Sequence, residues 1–212
     1  MEEARPVTHD PLRAPRRHRL GSALLVACLS VLAACAPPPP PFNATEVKGI
    51  DYGRGLGITD TEGKVRRLED FKGEVTLVFF GFTRCPDVCP TTLMRLRQAR
   101  AAVGADADRI RVLLVSVDPE RDTPEALGAY VRNFDPSFVG LRPEPAELPK
   151  VVKAFHAIAE KVPVGDAGEY TVDHSGTIYV YDRANRMRLI AQPDFEIAKF
   201  ADDLRRLARE DV

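Results

Sequence analysis

The sequence predicts an α/β protein in which a central mixed β-sheet is flanked by helices. Two continuous apolar runs, residues 74–82 and 110–118, have the β-branched and aromatic composition of strands that are buried on both faces. Helix-forming residues follow the first run, and a hairpin and an amphipathic helix end the chain. At 212 residues, with 44% hydrophobic and 29% charged residues, the chain is long enough for one domain with a substantial core.

The first 35 residues are predicted to be a lipoprotein signal peptide. Four arginines between positions 13 and 19 precede an apolar run, residues 20–34, which is too short for a comfortable transmembrane helix. The run ends in Leu-Ala-Ala-Cys, which resembles a bacterial lipobox, so Cys35 is the predicted lipid acceptor. An uncleaved anchor helix is the alternative. Both interpretations place the rest of the chain at the extracytoplasmic face of a bacterial cell membrane.

Residues 36–45 are predicted to be a proline-rich linker, and residues 46–212 the folded domain. Five consecutive prolines favour a stiff polyproline II spacer of about 3 Å per residue. With the signal peptide removed and Cys35 lipidated, Cys85 and Cys89 are the cysteines left to the domain. The formal net charge of −1 gives no indication of a nucleic-acid partner.

The first half of the domain begins with a short hairpin, predicted over residues 46–73, whose turn is Asp-Thr-Glu-Gly at positions 60–63. The first apolar strand leads through the cysteine segment into a helix predicted over residues 91–103. After the second apolar strand, Asp-Thr-Pro-Glu at positions 122–125 supplies a capping side chain and then a proline, which predicts a helix start. That helix is expected to run to about Asn133.

The second half is predicted to contain a short strand (residues 138–142), a helix (146–162), a hairpin (175–192) and the final amphipathic helix (195–210). Parallel strands followed by an antiparallel hairpin are the thioredoxin-type arrangement, here with an N-terminal hairpin and an inserted hairpin. In that arrangement the loop after the first buried strand lies at the carboxyl edge of the sheet. Both domain cysteines are predicted to lie in this loop.

Three interpretations of Cys85 and Cys89 remain open on the residues alone. A structural disulfide that encloses three residues removes little loop entropy, so it stabilises less than a long-range bridge. A redox pair is favoured by the following helix, whose N-terminus is expected to lower the pKa of the thiols, although redox motifs on this fold usually have two intervening residues. A metal site is the third interpretation, and it needs another ligand.

Two histidines of the domain are candidates for that ligand. His156 falls beside the apolar stripe of the helix predicted over residues 146–162, so we expect it on a solvated surface. His174 directly precedes an apolar strand, where a loop could place it over the edge of the sheet. Two thiolates and an imidazole suit copper, and zinc is the alternative metal.

Three motifs together resemble the Sco/SenC family: TRCPDVCP at 83–90, VSVDPERDTPE at 115–125 and YTVDHSGTIYVYD at 170–182. Members of that family are membrane-anchored, thioredoxin-fold copper proteins that help to assemble the dinuclear copper centre of cytochrome c oxidase. The resemblance implies that Cys85, Cys89 and His174 bind one copper ion, as Cu(I) or Cu(II). It also implies that the two cysteines cycle between dithiol and disulfide.

The roles of two acidic residues are less well defined by the resemblance. Asp87 lies between the cysteines, where it either tunes their charge, contacts a partner or forms an Asx turn. Asp118 ends a buried strand, and it either supports the site or simply terminates that strand.

The function implied is that of a copper metallochaperone. Its expected partners are the copper-site subunit of cytochrome c oxidase, a periplasmic copper donor or thiol reductant, and the membrane through the lipid anchor. A thiol–disulfide oxidoreductase that keeps the oxidase copper-site cysteines reduced is the alternative. A thioredoxin-like peroxidase is a third, weaker hypothesis, because the residues before Cys85 lack the proline expected near a peroxidatic cysteine.

Overall fold

A computed structural model describes residues 40–165 and 168–211. The predicted signal peptide, Cys35 and the prolines at 37–39 lie outside the described residues, so the predictions about them stay predictions. Within the described ranges, no helix has the length and apolar character needed to cross a bilayer. Phe42 and the following residues already belong to the compact unit that carries the site, although the linker was predicted to extend to residue 45.

The regular elements of the described part are as follows. The strands are β1 (Thr45–Glu46), β2 (Ile58–Thr59), β3 (Val65–Arg66), β4 (Val75–Gly81), β5 (Ile110–Ser116), β6 (Val139–Leu141), β7 (Ala159–Val164), β8 (Glu169–His174), β9 (Ile178–Tyr181) and β10 (Met187–Ala191). The α-helices are α1 (Val88–Val103), α2 (Pro124–Phe134), α3 (Leu148–Ala154) and α4 (Ile197–Arg209).

Six strands form the central mixed sheet, in the order β1-β10-β9-β4-β5-β6. Strand β4 pairs in parallel with β5, which pairs in parallel with β6, whereas β9 pairs antiparallel with the other side of β4. All seven residues of β4 are buried, which confirms the prediction of a strand covered on both faces. The predicted fold class, a thioredoxin-like α/β fold, is therefore confirmed.

Strands β2 and β3 form the predicted N-terminal hairpin. The buried Asp60 carboxylate accepts hydrogen bonds from the backbone N–H groups of Glu62 and Lys64, each at 2.9 Å, so this side chain closes the turn. Helix α2 also begins as predicted, because the Thr123 hydroxyl accepts from the Ala126 N–H at 3.2 Å and Pro124 occupies the first helical position.

The helix predicted over residues 146–162 is wrong in its second half. Helix α3 ends at Ala154, and His156 has a φ of 51°, a left-handed conformation that a right-handed helix cannot continue through. The chain then enters β7, which pairs antiparallel with β8. This pair is a hairpin inserted between α3 and β9, and its first strand begins where the sequence predicted a helix. The His156 ring stacks on the Tyr52 ring, with their centroids 4.5 Å apart, instead of lying on a helix surface.

Candidate metal centre

The two cysteines lie where β4 passes into α1. Helix α1 begins at Val88, three residues before the predicted start, so Cys89 lies in its first turn and Cys85 in the preceding loop. Pro90 does not prevent this, because the first N–H groups of a helix have no intrahelical partner. Both thiols are free; Cys89 is fully buried and Cys85 half-buried.

The position of the Cys89 sulfur depends on Gly81, the last residue of β4. A Cβ atom at position 81 would lie 2.8 Å from the Cys89 Sγ, closer than two such atoms can approach. The backbone N–H of Cys89 points to the other thiol and donates to the Cys85 Sγ at 3.4 Å. The first turn of α1 therefore contributes the Cys89 sulfur and also the backbone N–H that donates to the Cys85 sulfur.

Burial, and then the neighbouring Cys85 thiol, raise the pKa of Cys89. The expectation that the helix N-terminus lowers the pKa is wrong for this residue, because desolvation of the thiolate outweighs the partial positive charge of the helix. In the metal-free protein Cys89 is consequently a thiol at neutral pH. A bound cation replaces its proton.

His174, the last residue of β8, brings the third group to the site. Its Nε2 lies 3.3 Å from the Cys89 Sγ, and its Nδ1 lies 3.1 Å from the Ser175 carbonyl oxygen. Because a carbonyl oxygen only accepts, Nδ1 carries the proton in this hydrogen bond, and the Nε2 lone pair is left facing the sulfur. Burial lowers the pKa of His174, which also favours the neutral ring.

Ligand atoms of Cys85, Cys89 and His174 all lie within 4.8 Å of one another. The imidazole is held edge-on between two buried rings, with its centroid 6.2 Å from that of Phe79 and 5.8 Å from that of Phe82. The structure thus brings together the three side chains that the resemblance implies as ligands.

A buried carboxylate that sequence reasoning missed organises the cysteine loop. Asp122 accepts from the Thr83 hydroxyl and the Ser116 hydroxyl, each at 2.6 Å, and from the Thr83 backbone N–H at 3.2 Å. These bonds tie the loop before Cys85 to the end of β5. The motif at 115–125 contained the signal, but Asp122 was interpreted there only as part of a helix start.

The two acidic residues predicted to support the site lie in different surroundings. Asp118 is buried, and its carboxylate accepts from the Tyr170 hydroxyl at 2.9 Å and from Arg121 Nε. Asp87 is exposed at the N-terminus of α1, where its carboxylate accepts from the Thr91 hydroxyl at 3.4 Å. The structure gives Asp118 contacts that lead to the His174 strand, and the role of Asp87 stays a prediction.

The fold and this cluster define a thioredoxin-like protein that carries two free thiols and an imidazole at the carboxyl end of its central strand. Such a set is able to hold a soft metal ion or, after oxidation of the thiols, a disulfide. The sequence profile of the SCO1/SenC family matches residues 47–209, and the chain belongs to that family.

Individual relatives agree with this assignment. The SCO2-like protein RP587 of Rickettsia prowazekii is 32% identical over 166 residues, which are 76% of this chain and 80% of that protein. ScoI of Bradyrhizobium japonicum, solved with copper bound, is 42% identical with a TM-score of 0.67, covering 74% of this chain and 99% of ScoI. BsSco, a member of the Sco family of cytochrome c oxidase assembly proteins, is 22% identical with a TM-score of 0.57, covering 80% of this chain and 97% of BsSco, and shows the fold alone.

Proposed function

We propose that this chain binds one copper ion through the Cys85 and Cys89 sulfurs and the His174 Nε2, and delivers it as cargo. The convergence of these three atoms within 4.8 Å carries the proposal. Thiolates suit Cu(I), and imidazole is acceptable to copper in either oxidation state. The copper bound to ScoI, a relative of 42% identity, favours copper over zinc.

Unequal exposure of the two sulfurs supports delivery by ligand exchange. Cys89 is fully buried behind Gly81, whereas Cys85 is half-buried in a surface loop. An incoming cysteine of an acceptor site reaches the metal from the Cys85 side, and Cys85 leaves before Cys89. We assign the acceptor to the copper-site subunit of cytochrome c oxidase, because the chain belongs to the SCO1/SenC family and its three motifs imply that partner.

The proposed location is the extracytoplasmic face of the membrane. A lipid on Cys35 followed by the proline-rich spacer would confine the domain near membrane-embedded oxidase subunits. Tethering raises the effective concentration of the carrier at its acceptor without adding a contact.

Thiol–disulfide exchange is a second candidate function of the same residues. Both cysteines are free and adjacent, and Cys85 is half-buried whereas Cys89 is fully buried, which favours the accessible Cys85 sulfur as the attacking group. Copper binding needs the reduced pair, so the two activities exclude one another at any moment.

Metal analysis of the purified, reduced protein tests the copper proposal. We expect one copper ion per chain, and loss of tight binding in Cys85→Ser, Cys89→Ser and His174→Ala. The matched control is His156→Ala, since His156 stacks on Tyr52 outside the cluster and its loss should leave copper binding intact. Stoichiometric copper in the double cysteine variant would refute the ligand assignment.

An assembly assay separates delivery from thiol reduction. His174→Ala keeps both thiols, so it should abolish oxidase assembly while thiol reduction continues if copper delivery is the function. Unaffected assembly in that variant would assign the chain to the reductase class.

A further inference from the structure

We propose that Asp118, Arg121 and Tyr170 form a latch that seats His174 at the sulfurs, and that this latch sets the affinity for Cu(II) separately from that for Cu(I). The inference rests on the proposed copper function. It concerns positioning residues, since none of the three is among the ligand atoms of the cluster.

The strand that carries His174 needs such a latch. Strands β7 and β8 form a separate two-stranded sheet, so their backbones do not pair with the central sheet. No residue of β7 is buried, and Val172 alone is buried in β8. A lone two-stranded hairpin is marginally stable in water, so other contacts must fix its position.

Mutual contacts join the three latch residues. The Tyr170 hydroxyl donates to Asp118 Oδ1 at 2.9 Å, and Arg121 Nη1 donates to the Tyr170 carbonyl oxygen at 2.8 Å. The Arg121 guanidinium carbon lies 3.7 Å from the centre of the Tyr170 ring, and its Nε pairs with Asp118 Oδ2. The latch therefore holds Tyr170 by its backbone, its ring and its hydroxyl.

The body of the domain fixes the other side of the latch. The Asp118 side chain is fully buried, and its backbone N–H donates to the Ser116 hydroxyl at 3.2 Å. That hydroxyl donates in turn to Asp122, which binds Thr83 in the cysteine loop. One turn, residues 116–122, thus contacts both the segment that carries the sulfurs and the strand that carries the imidazole.

The geometry of β8 couples the position of Tyr170 to that of His174. Side chains of residues i, i+2 and i+4 line one face of a strand, so Tyr170, Val172 and His174 share the inward face of β8. Arg121 also lies 6.0 Å from the centre of the Phe82 ring, which contacts the imidazole edge-on. Fixing Tyr170 consequently fixes both the rotation and the depth of the strand at His174.

Loss of the latch should affect the two copper oxidation states unequally. The sulfurs are on the cysteine loop and α1 and keep their places when β8 shifts, and thiolates are the ligands that Cu(I) favours. Cu(II) depends more on the imidazole. When the state with His174 seated at the sulfurs is only partly populated, the apparent dissociation constant rises by the inverse of that fraction.

The test compares Tyr170→Phe with the unchanged full-length chain. We expect the dissociation constant for Cu(II) to rise roughly tenfold to a hundredfold, because a hydrogen bond to a charged group is lost. The constant for Cu(I), from competition with a chromophoric chelator, should change less than about threefold. The matched control is Glu120→Ala, which removes an exposed ion pair to Lys161 of the same hairpin and none of the contacts among Asp118, Arg121 and Tyr170.

A double-mutant cycle distinguishes the seating of His174 from a general effect of Tyr170 on the structure. In a His174→Ala background, Tyr170→Phe should weaken Cu(II) binding no further, because there is no imidazole left to seat. Equal weakening of Cu(I) and Cu(II), or an undiminished effect of Tyr170→Phe in that background, would overturn the latch.

Hydrogen exchange of the metal-free protein keeps the latch testable apart from the copper function. Tyr170→Phe should speed amide exchange in β8 without changing it in β4. Unchanged exchange in β8 would contradict the latch even if the protein binds copper. If the wild-type protein binds no copper but Tyr170→Phe still speeds exchange in β8, the proposed function is refuted and the seating of His174 stands.

Discussion

Cys89 is the residue most closely controlled by its surroundings, because its sulfur occupies the space that a side chain at position 81 would need. A Cβ on Gly81 would also lie 3.1 Å from Leu114 Cδ1 and 3.4 Å from the Phe79 ring. The neighbours are buried strand residues, so they have little freedom to move away.

Gly81→Ala should therefore affect both stability and metal binding. Overpacking of a core typically costs about 1–3 kcal/mol, and displacement of the Cys89 sulfur should also weaken copper binding. Urea unfolding and a copper titration measure the two effects. Gly140→Ala in β6 is the matched control, because its Cβ would meet Leu127 at 2.8 Å and Thr61 at 3.0 Å. If both variants weaken copper binding equally, the loss reflects general strain and not the sulfur.

The raised pKa of Cys89 predicts how the stability of the reduced, metal-free protein varies with pH. The unfolded thiol has a pKa of about 8.5, so above that pH the unfolded chain loses a proton that the folded chain keeps. The free energy of unfolding should be constant below about pH 8.5 and fall above it by at most about 1.4 kcal/mol per unit. Unfolding at several pH values measures this slope. Cys89→Ser should reduce it, and an unchanged slope would assign the loss to other groups.

The residues of the site were predictable where their type and spacing indicate metal or redox chemistry. Spacing and a resemblance pointed to Cys85 and Cys89, and the strand after His174 distinguished it from His156. The role of Asp122 was not predicted, because it depends on contacts with Thr83 and Ser116, which come from two other segments. Burial of Cys89, which reverses the expected direction of its pKa shift, also depends on tertiary packing.

At the scale of elements, local signals predicted the central strands and most helices. Strand β4 and helix α2 follow from an unbroken apolar run and from a capping residue with proline. Strand β7 could not be predicted in this way, since its backbone is satisfied by pairing with β8 and its first three residues, 159–161, are helix formers. Helix α1 was predicted to start at residue 91, after the cysteine segment, whereas its first turn already includes Cys89 and Pro90.

Helix α2 offers a test of its predicted cap. Thr123→Ala removes the hydroxyl that accepts from the Ala126 N–H, and we expect a loss of about 1 kcal/mol, or roughly 2–4 °C in melting temperature. Thr123→Ser keeps the acceptor and should stay close to the wild type. Calorimetry of the three proteins makes the comparison, and an equal loss in the serine variant would assign the effect to the methyl group.

At the scale of the whole molecule, the start of the fold is fastened to its last helix. The buried Asp203 in α4 accepts from the backbone N–H of Asn43 at 3.0 Å, from the backbone N–H of Ala44 at 2.8 Å and from the Asn43 side-chain amide at 2.9 Å. These bonds hold Asn43 and Ala44 against the last helix of the folded unit.

Asp203→Ala should release this fastening and leave the metal centre unchanged. Buried backbone donors lose their partner, so we expect about 1–3 kcal/mol of destabilisation and faster proteolysis near residues 42–47. Limited proteolysis and a copper titration provide the measurements. Asp202→Ala on the same helix is the control, because that exposed carboxylate pairs only with Arg205 among the described contacts. Weaker copper binding in the Asp203 variant would show that the two ends of the fold are coupled.

Cys89 and His174 are 85 residues apart in the chain, so the complete ion-holding pocket cannot exist before the polypeptide folds. A nascent chain presents its two sulfurs together, but it must close a long loop to add the imidazole, at an entropic cost that is not offset until the strands pair. An ion met during biogenesis therefore encounters a simple dithiol chelate. Binding of the ion by both sulfurs and the imidazole together is therefore possible only after the chain has folded.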